Sequence, residues 1–176
     1  MIEGVDGFQF CSTITPEDGI TQADVDALAE SYAGYTAPLD LQIGDLHAGG
    51  IVFQINENGS GLVAAMEDVP GNYEWELAVF QAQSFSSEGY TGWHLPSLEE
   101  LELMYYTIGS DEWGNTEDNI GGFAPEKYWS SSSLLDLGET WYNYYEDEAW
   151  YVRFDNGIFS FYPKGNTHRV RVIRAF

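Results

Sequence analysis

An α+β fold is predicted for this 176-residue chain. Two amphipathic helical patterns stand together in the middle, short strand patterns lie on either side of them, and a long irregular stretch separates the second helix from the later strands. Helices and strands do not alternate along the chain, which argues against a parallel α/β order. The length and a 44% hydrophobic content suffice for one core, so a main domain is expected over residues 41–176, with an attachment or oligomerisation segment over residues 1–40.

Within the first segment, TQADVDALAESYAGY carries Thr21 and Asp24 as a capping pair, followed by Val25, Leu28, Ala29 and Tyr32 at helical spacing. Gly34 and Pro38 end this short amphipathic helix. Its apolar stripe has two destinations, the chain's own domain or a neighbouring subunit, and the sequence leaves both open.

The main domain opens with GIVFQI and GLVAAM, two apolar runs split by ENGSG, which predict a β-hairpin. NYEWELAVFQAQ then sets Trp75, Ala78, Val79 and Ala82 on one helical face, with Asn72 in position to cap it. A second helix starts at Ser97, where Ser97 and Glu100 form a capping box and Pro96 blocks helix upstream. Its buried stripe is Leu98, Leu101, Tyr105 and Ile108, while Glu99 and Glu102 face water; the preceding Tyr90, Trp93 and Leu95 act as wedges that fix the turn against the core. After the irregular DEWGNTEDNIGGFAPE, strands are expected at YWSSSS, AWYVRF, IFSFY and RVRVIRAF. Asn156-Gly157 signals a tight hairpin between the second and third of these, and residues 164–167 turn the chain into the last.

The charge is distributed unevenly. Residues 1–126 hold 23 Asp or Glu and no Lys or Arg, while residues 127–176 hold six of each sign, giving a net charge of -23. Nucleic acid and anionic lipid are therefore poor partners. The field suits solubility in salty water and invites divalent cations. Arg169, Arg171 and Arg174 on the terminal strand are expected to find carboxylates and so join that strand to the rest, with Arg153 doing likewise.

Two irregular segments carry candidate sites. In ETWYNYYEDEAW, the residues Trp141, Tyr142, Tyr144 and Tyr145 lack a clean strand or helix period, so they cannot all enter a core. Exposed aromatics stack on sugar rings while Glu146 and Asp147 accept hydroxyl hydrogen bonds, which makes this the candidate ligand-binding segment. In DEWGNTEDN, Asp111, Glu112, Asn115, Glu117, Asp118 and Asn119 supply the hard oxygen donors that Ca²⁺ takes, with a solvated acidic loop as the other reading. The spacing is not that of an EF-hand, and no other cofactor is implied.

Catalytic signals are thin. His47, His94 and His168 fall in separate blocks, Ser130 to Ser133 lack a nucleophile elbow, and Cys11 alone forms no intrachain disulfide. The amino terminus has no basic region followed by an apolar run, and nowhere do 18 apolar residues follow one another. Neither a signal peptide nor a membrane span is expected.

The ordered blocks GDLHAGGIVFQI, GLVAA, the Trp75 helix, GYTGWHLPSLEEL, GGFAPEKYWSSS, AWYVRF with its following NG, and terminal VRVIRAF span residues 41–176. Together they resemble the domain at the carboxyl end of bacterial collagen-like adhesins, a family similar in fold to C-type lectins. The resemblance implies a compact domain whose first and last strands lie side by side, two helices flanking an antiparallel sheet, and a long loop region that presents ligand. It also implies bacterial surface adhesins or phage fibres and virion parts, often trimeric, several of which bind glycans or host surfaces. The shared blocks are structural, so no binding residue is carried over with them. Gly92 and His94 stand where relatives usually have Asp and Arg, so a local ion pair is missing. Formylglycine-generating enzymes have a related fold, but they use cysteines that this domain lacks.

The combined expectation is a non-enzymatic recognition module, extracellular or on a virion surface. It would bind a host glycan or receptor, associate with other copies of itself, and join a larger assembly through residues 1–40. The absence of a signal-peptide pattern favours a phage virion or fibre component. The alternatives are a structural decoration or cement protein of a capsid or filament, and a secreted bacterial adhesin.

Overall fold

The computed structural model of the chain describes residues 40–110, 119–134 and 147–176. The expected helix in the attachment segment lies outside these residues. The rest is α+β, with two helices and two antiparallel sheets among the described residues. The first sheet contains β1 (Leu46–His47), β2 (Gly50–Ile55), β3 (Gly61–Ala65) and β7 (Ile173–Ala175), in that spatial order. The second contains β4 (Lys127–Ser133), β5 (Glu148–Arg153) and β6 (Phe159–Pro163), also in order. Between the sheets in sequence come α1 (Trp75–Ser84), α2 (Leu98–Met104) and a π-helical turn over Tyr105–Gly109.

The runs GIVFQI and GLVAA form the expected hairpin, and their continuous apolar character has a structural cause. Ile51, Phe53 and Ala64 face a cluster with Leu98, Leu101, Met104 and Ile108, whereas Val52, Val63 and Ala65 face a second cluster with Ala78, Ala82 and Trp93. The sheet is thus covered on both sides, by α2 on one and α1 on the other. Gly50 has no room for a side chain, because a Cβ there would collide with the Ala64 carbonyl across the hairpin.

Helix α2 begins as its sequence requires. Ser97 Oγ accepts from the Glu100 N–H at 3.2 Å, and Glu100 Oε2 accepts from the Ser97 N–H at 2.8 Å. The helix start is also tied to β4, since the Leu98 N–H donates to Ser132 Oγ and the Ser131 N–H to the Pro96 carbonyl. Leu98, Leu101, Tyr105 and Ile108 are all buried. Glu102 is half-buried rather than in water, and burial, reinforced by Glu99, raises its carboxyl pKa.

Other expectations are displaced. Helix α1 starts at Trp75 with Glu74 at its cap position and no side-chain cap, so Asn72 does not cap it. The reason is an extended bridge: Tyr73 and His168 exchange N–H···O bonds of 2.9 and 3.1 Å, which holds the chain out of the helix until they are made. Trp93 and Leu95 are buried wedges, but Tyr90 is 38% exposed and lies beneath the Arg174 guanidinium, 4.7 Å from its ring centre. The Asn156-Gly157 hairpin exists with a longer loop than the dipeptide suggests, because Arg153 closes it by donating to the Ile158 carbonyl at 2.9 Å.

The terminal block differs most. The strand pairing implied by the resemblance does not occur: β7 pairs with β3, and β1 lies at the opposite edge of the sheet. The two-residue β1 turns back at once onto β2 through Ala48 and Gly49, both at positive φ, so the open edge left for the last strand belongs to β3. Only Ile173–Ala175 is strand, and the residues before it stitch the two sheets together. Arg169 bonds through its backbone to Lys127 and Trp129 of β4, while the carbonyls of Val170 and Val172 accept from Val69 and Ala65.

Side chains reinforce this seam. Arg171 is 1% exposed, donates from Nε to Asp68 at 2.8 Å and from Nη1 to the Ala65 and Gly121 carbonyls, and stacks on Phe123. Arg169 bridges Asp68 and Glu126. Arg174 does not find a carboxylate among the described residues. It donates to the Thr91 and Ala48 carbonyls at 2.9 and 3.0 Å, because its end of the strand faces backbone turns. Arg153 pairs with Asp155 within its own hairpin.

Burial decides which of these pairs matters for stability. Asp68→Ala strands a buried guanidinium and is expected to lower unfolding free energy by about 3–5 kcal/mol. Arg169→Ala, with its side chain 30% exposed, should cost at most about 1 kcal/mol. Urea denaturation of the two variants checks both, and equal small losses would remove the Arg171–Asp68 pair from its central role.

Candidate functional site

The aromatic segment expected to bind ligand falls outside the described residues for Trp141, Tyr142, Tyr144, Tyr145 and Glu146. Asp147 is described: it is an exposed turn residue whose carbonyl accepts from the Lys164 N–H at 2.7 Å. Asp111, Glu112, Asn115, Glu117 and Asp118 of the acidic loop also lie outside. Asn119 is described, and its side chain closes a local turn by bonding to both the N–H and the carbonyl of Phe123. No cluster of three or more His, Cys, Asp or Glu placed to hold a metal occurs among the described residues.

What the described residues do assemble is a cleft of about 360 Å³ where the start of β4 meets the end of β5 and the turn before the terminal segment. Asn72, Glu126, Lys127, Arg153, Thr167 and His168 line it. That volume lies in the range of about 300–1,000 Å³ typical of small-molecule sites. Each element contributes for a local reason. Lys127 opens β4 opposite Arg153 in the β4–β5 register. Thr167 and His168 arrive together because His168 is pinned to Tyr73 on the near side of α1.

An aromatic and cationic cluster forms the cleft's flank. The Lys127 ammonium lies 4.4 Å from the centre of the Tyr162 ring and 4.8 Å from that of Tyr151. The His168 ring stacks on Tyr162 and also contacts Tyr151 and Trp129. Tyr162 remains 40% exposed and Tyr151 is buried, so of the two rings Tyr162 is the one that reaches solvent. Lys164 likewise covers Trp75, at 4.3 Å. Among the described residues neither lysine forms an ion pair with a carboxylate, despite the acidic composition.

His168 is the unusual group. It is 8% exposed, and its Nε2 is buried without a hydrogen-bond partner among the described residues. Burial pulls its pKa from 6.5 to about 4, the Lys127 charge adds to the shift, and a hydrogen bond to the Thr167 backbone opposes it. At neutral pH the ring is uncharged. The cleft therefore offers an ammonium and polar side chains, with the partly exposed Tyr162 ring beside its Lys127 and His168 wall, which suits a hydroxyl-rich ligand with an apolar face.

A second aromatic group lies on the opposite side of β5. Trp150 contacts Phe159 and Phe161 at 6.0 and 5.5 Å, and the Trp150 Nε1 and Glu148 Oε2 atoms are buried without partners among the described residues. Burial, then Asp147, raises the Glu148 carboxyl pKa. The other two histidines have different surroundings. His47 packs edge-on to Phe176, and His94 exchanges backbone hydrogen bonds with Ile173.

Sequence reasoning did not single out Lys127, Tyr151, Tyr162 or His168 as a site. Each looks ordinary in its own strand or turn, and only the register β4-β5-β6 together with the Tyr73–His168 bridge brings them together. The one available signal was compositional: all six basic residues fall within residues 127–176.

The family model of the Lcl C-terminal domain matches residues 53–174, which is more than half of the chain. No curated protein matches the chain.

The histidine sets a pH dependence. Its folded pKa lies below its unfolded value, so the unfolded chain takes up a proton that the fold refuses between pH 6.5 and about 4. Its contribution is complete above that window and is lost as pH falls through it. Melting temperatures of His168→Asn and wild type across this range should converge towards the acid end, and a constant gap at every pH would refute the assignment.

Proposed function

The chain belongs to the Lcl C-terminal domain family, and on that premise we propose that it is an adhesin-like surface protein whose domain recognises a host glycan or receptor without catalysis. The observation that supports this best is the cleft beside Tyr162. A sugar ring packs against the solvent-reaching part of Tyr162, while Asn72, Thr167 and the Lys127 ammonium at its edge bond its oxygens. The aromatic segment around Trp141 and Tyr144 extends the contact surface. The protein acts outside the cell or on a virion surface, as a fibre or appendage component attached through residues 1–40. No helix among the described residues is long and apolar enough to cross a membrane.

One observation favours association of several copies. Leu77 and Phe80, three apart on α1, are 51% and 60% exposed, an apolar pair that subunit contact would cover. Sedimentation of wild type and a Leu77→Gln, Phe80→Gln double variant tests this: the variant is expected to be the smaller species, and identical sizes would remove α1 from the interface.

Ligand recognition is tested on a glycan array and by adsorption to host cells. Tyr162→Ala and Thr167→Ala are expected to weaken binding about tenfold, equivalent to about 1.4 kcal/mol. Unchanged binding in both moves the site out of the cleft, and unchanged binding in Trp141→Ala and Tyr144→Ala removes that segment from it. Cleavage of any surface polysaccharide by the wild type would overturn the non-catalytic reading.

A further inference from the structure

A second concavity, sharing no residue with the cleft, is built where the β1–β2 turn meets the 87–90 turn. Its volume is about 250 Å³, below the roughly 300 Å³ at which small-molecule sites begin. It is sized for one projecting side chain. Leu46, His47, Ala48, Met66, Glu88 and Tyr90 form most of its wall. Three of these are large apolar groups left in water: Leu46 is 71% exposed, Met66 40% and Tyr90 38%. Exposed apolar residues are common singly, but three around one pocket mark an interaction surface.

The walls are held in place at a conformational cost. Ala48 and Glu88 are the two described non-glycine residues with positive φ, at 48° and 52°, and they stand on opposite turns of this pocket. Such backbone persists where its surroundings fix it. Here Arg174 fixes it, by donating to the Ala48 and Thr91 carbonyls while covering Tyr90. The Ser87 and Tyr90 backbones close the second turn reciprocally, at 3.2 and 2.8 Å.

Charge identifies the occupant. Every exposed apolar residue of the pocket has an exposed acid close by in sequence: Asp45 precedes Leu46, Glu67 follows Met66, and Glu88 lies two residues before Tyr90. No Lys or Arg lines the pocket among the described residues, and Arg174, which lies behind its wall, is engaged by two carbonyls and a ring. We propose that this pocket docks a basic segment of a partner protein, which inserts one apolar side chain flanked by lysine or arginine. A second copy of this chain is a poor occupant, because its six cations are already engaged by carboxylates, carbonyls or aromatic rings and none is offered beside an exposed apolar side chain of a flexible segment.

The chain has three methionines, and methyl labelling of the full chain reads the pocket directly. Met66 stands in its wall, while Met104 is fully buried and serves as an internal control. Titration with the peptide Lys-Leu-Lys is expected to shift the Met66 methyl signal and leave Met104 in place. Lys-Ser-Lys, which keeps the charge and loses the apolar group, and Glu-Leu-Glu, which reverses the charge, should shift it little. Leu46→Ser and Glu88→Gln, both at exposed positions, should each weaken Lys-Leu-Lys binding at least about threefold, with unchanged melting temperatures. The proposal falls if Met66 does not respond, if either control peptide acts as strongly, or if raising protein concentration alone produces the same shift. None of these outcomes depends on the cleft at Tyr162, so the two sites fail or stand separately.

Discussion

Asp68 accepts hydrogen bonds from the Tyr128 hydroxyl, from Arg169 and from the buried Arg171. Burial, the neighbouring carboxylate and the hydrogen bond to it all push the Tyr128 phenol pKa upward, so it stays a donor. One carboxylate at the end of the β3 hairpin thereby fixes the terminal segment, the first strand of the second sheet and, through Arg171, the Gly121 backbone. A guanidinium so enclosed is tolerable only with a paired charge and satisfied N–H groups, and the Ala65 and Gly121 carbonyls complete that set. The two sheets share no strand, so this polar knot and the backbone stitches beside it fix how they meet.

The cleft follows from the same knot. Arg169 binds Asp68 on one side and Glu126 on the other, and Glu126 lines the cleft next to Lys127. Pairing Glu126 with Arg169 lowers the Glu126 pKa and keeps that carboxylate occupied. Lys127 is then left to the aromatic rings. In a chain with a net charge of -23, six cations are few, so where each one is placed sets the parts of the surface that depart from an acidic field. Where the guanidinium groups are consumed by structure, the lysines are held over aromatics.

Local chemistry made much of the fold legible. The Ser97–Glu100 box, the apolar hairpin runs and the buried stripe of α2 need only neighbours in sequence, and all appear as expected. Features that depend on distant partners were not legible. Asn72 has the right chemistry for a cap, but the Tyr73–His168 bridge overrides it. RVRVIRAF alternates like one strand, yet its first half is divided between two sheets. Tyr90 looks like a wedge until Arg174 is seen above it. The cleft belongs to this second class, since its residues come from four separate stretches of the chain. The resemblance fixed the family correctly but misplaced the last strand by its neighbour, because topology at a sheet edge depends on how short β1 is.

The stitched terminal segment has a consequence for how the molecule is made. During synthesis, residues 168–176 emerge after every other described element, yet they supply the fourth strand of one sheet and the backbone partners of β4 in the other. Until they arrive, β3 has an unpaired edge and Asp68 lacks both arginines. The nascent domain therefore waits with an open sheet edge, the state in which chains are most prone to mispair with one another. The acidic stretch already displayed upstream offers protection at that stage, since emerging chains that all carry the same sign hold each other apart.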